Sequence, residues 1–270
     1  MNNLHRELAP ISDAAWAQIE EESSRTIKRY LAGRRVVDVN GPEGSALSAV
    51  GTGHLREIAS PEKSVLSRQR EVKALVELRV PFDLDRQMID DVERGAEDSD
   101  WQPAKDAARK LAFAEDRAIF EGYTAAGIVG VRQGTSNPKK SLPADVRKYP
   151  EAFAEALSQL RLVGVNGPYS ILLSADAYTE LAETSDNGYP VLEHVKRLVD
   201  GKIIWAPAIE GAFVVTTRGG DLDLHIGQDA SIGYLSHTDK QVHLYLQETF
   251  TFLYLTSESC VAFAAPPKKR

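Results

Sequence analysis

The sequence is poor in several features that would narrow its function at once. One cysteine, Cys260, stands among 270 residues, which excludes a disulfide scaffold and a zinc site built from several cysteines of one chain. No stretch approaches the roughly 20 apolar residues that a membrane span needs. The start, MNNLHRELAP, lacks the charged-then-apolar layout of a secretory signal, so a cytoplasmic protein is expected. A basic surplus is missing too: 32 Lys and Arg stand against 39 Asp and Glu, a net charge of -7. With a pI near 5.5, general nucleic-acid binding is disfavoured, because it calls for a basic surface. His5, His54, His194, His225, His237 and His243 form no HExxH pair, and no Gly-x-Ser-x-Gly elbow exists. No phosphate-loop lysine follows Gly51, Gly53 and His54, and no internal repeat is visible. What is present is ordinary for a globular chain. Hydrophobic residues make up 43% and charged residues 26%, enough for a packed core in one large domain or two small ones.

Residues 12–32 read as an amphipathic helix. Ser12 is placed to cap it, Ile11 and Trp16 sit at hydrophobic-staple spacing, and Gly33 stands where a left-handed cap is expected. Trp16, Ile19, Ile27, Tyr30 and Leu31 form an apolar stripe that must pack on its own domain or on a partner. Residues 40–73 are rich in Gly, Ser and Pro, lack a long apolar period, and read as an extended functional loop. Alternation of Ala74, Val76, Leu78, Val80 and Phe82 predicts a half-buried strand. A long helix is expected from Trp101 to near Gly122, with cap candidates at Asp98, Ser99 and Asp100. Further on, helices at 151–163, 174–181 and 191–199 interleave with strands at 169–173, 202–205 and 212–217. The last part alternates over 222–226 and 242–254 and ends in a strand at 259–264. The class is α+β.

Candidate chemistry is sparse. Asp221, Asp223 and His225 share one strand face at two-residue spacing, which is also simply the polar side opposite Leu222, Leu224 and Ile226. Glu115 and Asp116 have the right types for acid–base work, but Arg109, Lys110 and Arg117 nearby favour ordinary ion pairs. Cys260 sits between apolar neighbours and reads as an inert buried thiol. No catalytic group, metal site or cofactor is expected. An α+β chain with an extended loop, an amphipathic N-terminal helix and no catalytic set suits a self-assembling structural protein.

Nine motifs in order carry a family resemblance: LAP at 8–10 with Trp16, GRRVVDVNGP at 33–42, DDVERG at 90–95, EDRAIFEG at 115–122 and GPYSILLSADAY at 167–178, then GYP at 188–190, TTRGGDLDL at 216–224, SIGY at 231–234 and LQETFTF at 246–252. On these the chain resembles the family 1 encapsulins of the linocin type, bacterial shell proteins with the Hong Kong 97-like capsid fold of tailed phages. The resemblance implies a peripheral domain begun by an N-terminal helix and arm (1–49), an extended loop (50–73) and a spine helix within 74–132. An axial domain (133–222), returning peripheral strands (223–264) and a tail (265–270) complete it. It implies self-assembly into an icosahedral nanocompartment of about sixty copies. The implied cargo is a dye-decolourising peroxidase, or a ferritin-like protein, held by its C-terminal targeting peptide.

By matching positions, that peptide is implied to bind Ile27, Leu31, Arg34 and Asp38, with Ile232 opposite. Apolar side chains would seat an aliphatic anchor, while Arg34 and Asp38 would pair peptide charges or each other. Glu183, Thr184, Ser185, Asp186, Asn187, Gly188 and Tyr189 are implied to line a pore, with two carboxylates favouring cations or small neutral solutes. Some members stack a flavin on an aromatic residue after the strand; Gln87 and Met88 occupy that region here, so no flavin is expected. Other readings of the resemblance are a prophage major capsid protein and a secreted bacteriocin or protease. The acidic balance speaks against a DNA-filled head, and the missing leader and catalytic set speak against the second.

Overall fold

A computed structural model describes residues 3–266; the end of the tail, residues 267–270, lies outside the described residues. The first long element, α1 (Asp13–Tyr30), starts where its sequence says it should. The Ser12 hydroxyl accepts from the Ala15 amide at 3.3 Å, and Ala15, Trp16 and Ile19 turn inward. Its end differs from expectation. Leu31 leaves the helix in an extended conformation, and Gly33 begins a short 3-10 turn, Gly33–Arg35, without a left-handed backbone. Glycine is needed there for space: a Cβ would stand 2.8 Å from Ile119 Cδ1 and 2.9 Å from Asp116 Oδ1.

After β1 (Asp38–Asn40) come β2 (Ala49–Ile58) and β3 (Ser67–Ala74), which pair only with each other. The segment expected as loop is thus a two-stranded ribbon. Most of its residues are exposed, so no buried face imposes an apolar period that a sequence reading would detect. Next are β4 (Val76–Asp85), α2 (Arg86–Glu93) and α3 (Gln102–Phe120). The short α2 was not expected; Asp85 caps it by accepting from the Gln87 amide at 2.8 Å. The middle of the chain supplies α4 (Val131–Gly134), β5 (Lys140–Ser141), α5 (Tyr149–Leu162), β6 (Tyr169–Leu173) and α6 (Ala175–Glu183). It continues through β7 (Ser185–Asp186), β8 (Tyr189–Pro190), α7 (Val191–Lys196), β9 (Ile203–Trp205) and β10 (Ala212–Thr216). Four strands finish it: β11 (Leu222–Ile226), β12 (Ser231–His237), β13 (Gln241–Tyr254) and β14 (Cys260–Ala264).

Two five-stranded sheets organise these elements. In the first, β13 is the axis. It pairs antiparallel with β4 along one edge and with β12 and β11 along the other, and β1 adds parallel to β11. Trp16, Ile19 and Leu111 from α1 and α3 pack on Leu244, Leu246 and Ile232 of this sheet. The second sheet runs β5-β14-β10-β6-β9 and is fully buried at its centre, which explains the unbroken apolar runs of β6 and β10. Phe153 and Leu160 of α5, Leu181 of α6 and Val195 of α7 cover it. Between the sheets, Phe120 and Phe213 stack with centroids 5.1 Å apart, beside Phe250 and Phe252. The α+β class is what the structure has.

Candidate functional site

The C-terminal half of α1 does not close fully onto the first sheet. Between them lies a cavity of ≈ 430 Å³, lined on one side by Ile27, Leu31 and Arg34 and on the other by Ile232 and Leu246. Four of the five residues expected in a peptide groove therefore meet here. The α-helical period puts Ile27 and Leu31 on one face of α1 and its end, and Ile232 is register partner to Leu246. Asp38 is elsewhere. Its carboxylate accepts from the Gly220 amide at 2.6 Å, tying β1 to the Gly219-Gly220 turn in a separate cleft. Leu4, Ser23, Asp229 and Leu246 also line the groove and were not singled out from sequence. Ser23 was legible in principle, being one helical turn before Ile27; Leu4 arrives by tertiary contact alone.

Under the groove the charges are arranged by long-range contacts. Arg34 holds Glu115 in a two-pronged pair, Nε to Oε1 at 2.8 Å and Nη2 to Oε2 at 2.6 Å. Its Nη1 reaches Asp229 at 2.8 Å, and Nη2 lies 3.4 Å from Glu248. Burial works against the Arg34 charge, but the hydrogen bonds and charge of Glu115, then of Asp229 and Glu248, hold its pKa above the usual value. Asp116 faces the other way and accepts the amides of Ala32 and Gly33 at 2.9 and 2.8 Å. Burial pushes its carboxyl up to about 7, against the downward pull of those two hydrogen bonds. The local helix pairs expected for Glu115 and Asp116 do not form, since both side chains turn into the core while Arg109 pairs with Asp106.

The seven residues expected at a pore form one hairpin. Glu183 ends α6, and the Thr184 hydroxyl donates to the Glu180 carbonyl at 2.6 Å. Asn187 and Gly188, with φ of 48° and 83°, turn the chain between β7 and β8. The Tyr189 ring stacks on His194 at 4.6 Å, and the Arg197 guanidinium lies 5.2 Å over it. The tip is therefore braced from α7. Asp221 does not stand with Asp223 and His225; it is buried and held by Arg218 at 2.8 and 3.0 Å. Among the described residues no cluster of three His, Cys, Asp or Glu has metal-holding geometry. No helix among them is long and apolar enough to cross a membrane. Cys260 is fully buried, and that burial pushes its thiol pKa up.

Residues 1–251 match the family model described as the encapsulating protein for peroxidase. The type 1 encapsulin shell protein of Rhodococcus erythropolis is 62% identical over 264 residues, covering 98% of this chain and 100% of that one. The chain belongs to the encapsulin shell-protein family. The type 1 encapsulin shell protein of Mycobacterium tuberculosis is 61% identical with the same coverage, and that of Rhodospirillum rubrum is 46% identical over 268 residues. Among solved structures, the virus-like particle of Pyrococcus furiosus superposes with a TM-score of 0.64 at 16% identity, over 91% of this chain and 98% of that one. The capsid of Myoviridae phage XM1 superposes at 0.53 over 86% and 90%. The fold is thus the Hong Kong 97-like capsid fold, and an encapsulin subunit is a shell protein that assembles with copies of itself.

Proposed function

We propose that about sixty copies of this encapsulin subunit close into a hollow icosahedral compartment in the cytoplasm, and that the groove beside α1 captures a cargo enzyme by its C-terminal targeting peptide. The cargo is a dye-decolourising peroxidase, or a ferritin-like protein in its place. The observation that carries this reading is the groove itself: an apolar trough between α1 and β12–β13 with Arg34 and Asp229 in its lining. An aliphatic peptide side chain fits such a trough, and polar groups at its margin orient the peptide. The peroxidase named in the family description supports the choice of cargo. Residues 1–49, 74–132 and 223–264 would form the peripheral domain and 133–222 the axial domain, with the hairpin from Glu183 to Tyr189 at a pore that favours cations or small neutral solutes. No catalytic role is assigned to the subunit.

Size-exclusion chromatography with negative-stain imaging tests the assembly; monomers or dimers in native buffer would overturn it. Ile27→Arg tests the groove. A guanidinium at this half-buried position, opposite Ile232, should lower peptide affinity at least about thirtyfold while shells still form. Co-purification of peroxidase with the variant shells at wild-type level would refute the groove. Replacing Glu183 and Asp186 together by Gln and Asn should slow cation entry into sealed shells, and unchanged flux would remove the carboxylates from any selective role.

A further inference from the structure

Three carboxyl groups from three separate parts of the chain converge on one guanidinium. Glu115 comes from α3, Glu248 from β13 and Asp229 from the connection between β11 and β12, at 2.6, 3.4 and 2.8 Å from Arg34. If all were ionised, two negative charges would be left without a partner. The Glu115 and Glu248 side chains are only 0% and 3% exposed, where an uncompensated charge costs several kcal/mol. Among the described residues no other positive charge contacts these three carboxyls. Asp116, the next residue on α3, adds a further acid and is itself acted on by Arg35. On β4 the register partner of Glu248 is Leu78, and the neighbouring Arg79 is spent on the Gln247 side chain and the Tyr245 ring.

Glu248 Oε1 is buried without a hydrogen-bond partner, and Glu248 and Glu115 reach the same guanidinium nitrogen, Arg34 Nη2, at 3.4 and 2.6 Å. Two buried carboxylates crowded on one nitrogen repel each other, whereas a carboxylic acid and a carboxylate can share a hydrogen bond. We propose that Glu248 carries a proton that it donates to Glu115, and that this acid–carboxylate pair positions Arg34 beneath the cargo groove, so that loss of the proton opens the groove floor and releases the peptide. Glu248 is a positioning residue acting through Glu115 and Arg34. Both halves of the pair are tied to groove walls. Glu115 holds Arg34, which lines the groove three residues after Leu31, and Glu248 lies two residues along β13 from Leu246. Repulsion between two ionised partners therefore acts on both walls at once.

The direction with pH follows from which form binds. Burial, then the charge of Glu115, hold the Glu248 carboxyl well above its ordinary 4.5. Peptide binding that needs the proton is complete below the titration and weakens as pH rises, by about tenfold for each further pH unit. The inference rests on the groove reading, so the test separates the two. Assembled shells are followed from roughly pH 6 to pH 10, the range in which deeply buried glutamates titrate. One readout is amide hydrogen exchange over residues 28–36 and 244–250, corrected for intrinsic rates. The other is binding of a labelled C-terminal peptide from a peroxidase of the same genome.

In the wild type, protection and affinity should fall together across this range. Glu248→Gln and Glu248→Met, which cannot ionise, should keep both flat. A flat wild-type profile, or Gln and Met variants that still titrate, would overturn the proposal. If exchange titrates and the Glu248 variants abolish that titration, while the peptide binds at no pH, the proton latch stands and the groove's role as a cargo site falls.

Discussion

Arg34→Met should destabilise the folded subunit by about 3–5 kcal/mol, the cost of leaving a buried acid without its partner. Methionine keeps much of the side-chain volume, so little of this loss comes from an empty space. What disappears is the two-pronged hydrogen bond to Glu115, whose side chain is 0% exposed. Glu115 must then take up a proton, reorganise or expose itself, and each route costs stability. Thermal melts of assembled shells should register the loss at roughly 2–4 °C per kcal/mol for a chain of this size. Adding Glu115→Gln to the variant should recover part of it, because the buried charge is then gone from both sides. A Tm within a degree or two of wild type would mean that Arg34 holds peptide charge rather than the subunit.

Removing the tip of the β2–β3 ribbon, by joining Gly51 to Val72 through a short turn, should abolish shells while sparing the subunit fold. The ribbon carries Leu55, Ile58, Val65, Leu66 and Val72 at 54, 45, 52, 64 and 56% exposure. None of the three core clusters among the described residues includes any of them. A lone two-stranded ribbon is marginal in water, and so much uncovered apolar surface on one projection marks a contact with another molecule. In the proposed shell that molecule would be a neighbouring copy. Chromatography should show the truncated chain as small species with an unchanged circular-dichroism spectrum. Complete shells from the truncated chain would show that the ribbon is dispensable.

The parts of the fold that sequence reading recovered are those in which burial writes a local pattern, periodic or continuous. The α1, α3 and α5 helices carry an apolar stripe, β11 alternates, β6 is an unbroken apolar run buried on both faces, and Ser12 and Ser174 cap as their positions suggest. The parts that escaped depend on contacts remote in sequence. Gly33 looked like a helix cap because it follows an apolar stripe, but its backbone is shaped by Ile119 and Asp116. Glu115 and Asp116 looked like members of helix-surface ion pairs; their partners are Arg34 and the amides of Ala32 and Gly33, more than 80 residues away. The groove was partly legible. Ile27 and Leu31 lie on one helix and announce a face, whereas Asp229 and Leu246 join them only after β12 and β13 have paired.

The order of strands in the two sheets has a consequence for synthesis on the ribosome. The axis of the first sheet is β13, and β14 lies inside the second, between β5 and β10. Both come from the last thirty residues of the chain, Gln241–Tyr254 and Cys260–Ala264. Until they emerge, β4, β11 and β12 lack β13, β5 and β10 lack β14, and β1 waits for β11 at a register of Asp38 to Asp223. A nascent chain therefore has neither sheet complete. Subunits thus present complete sheets to one another only once β13 and β14 have joined the strands made before them.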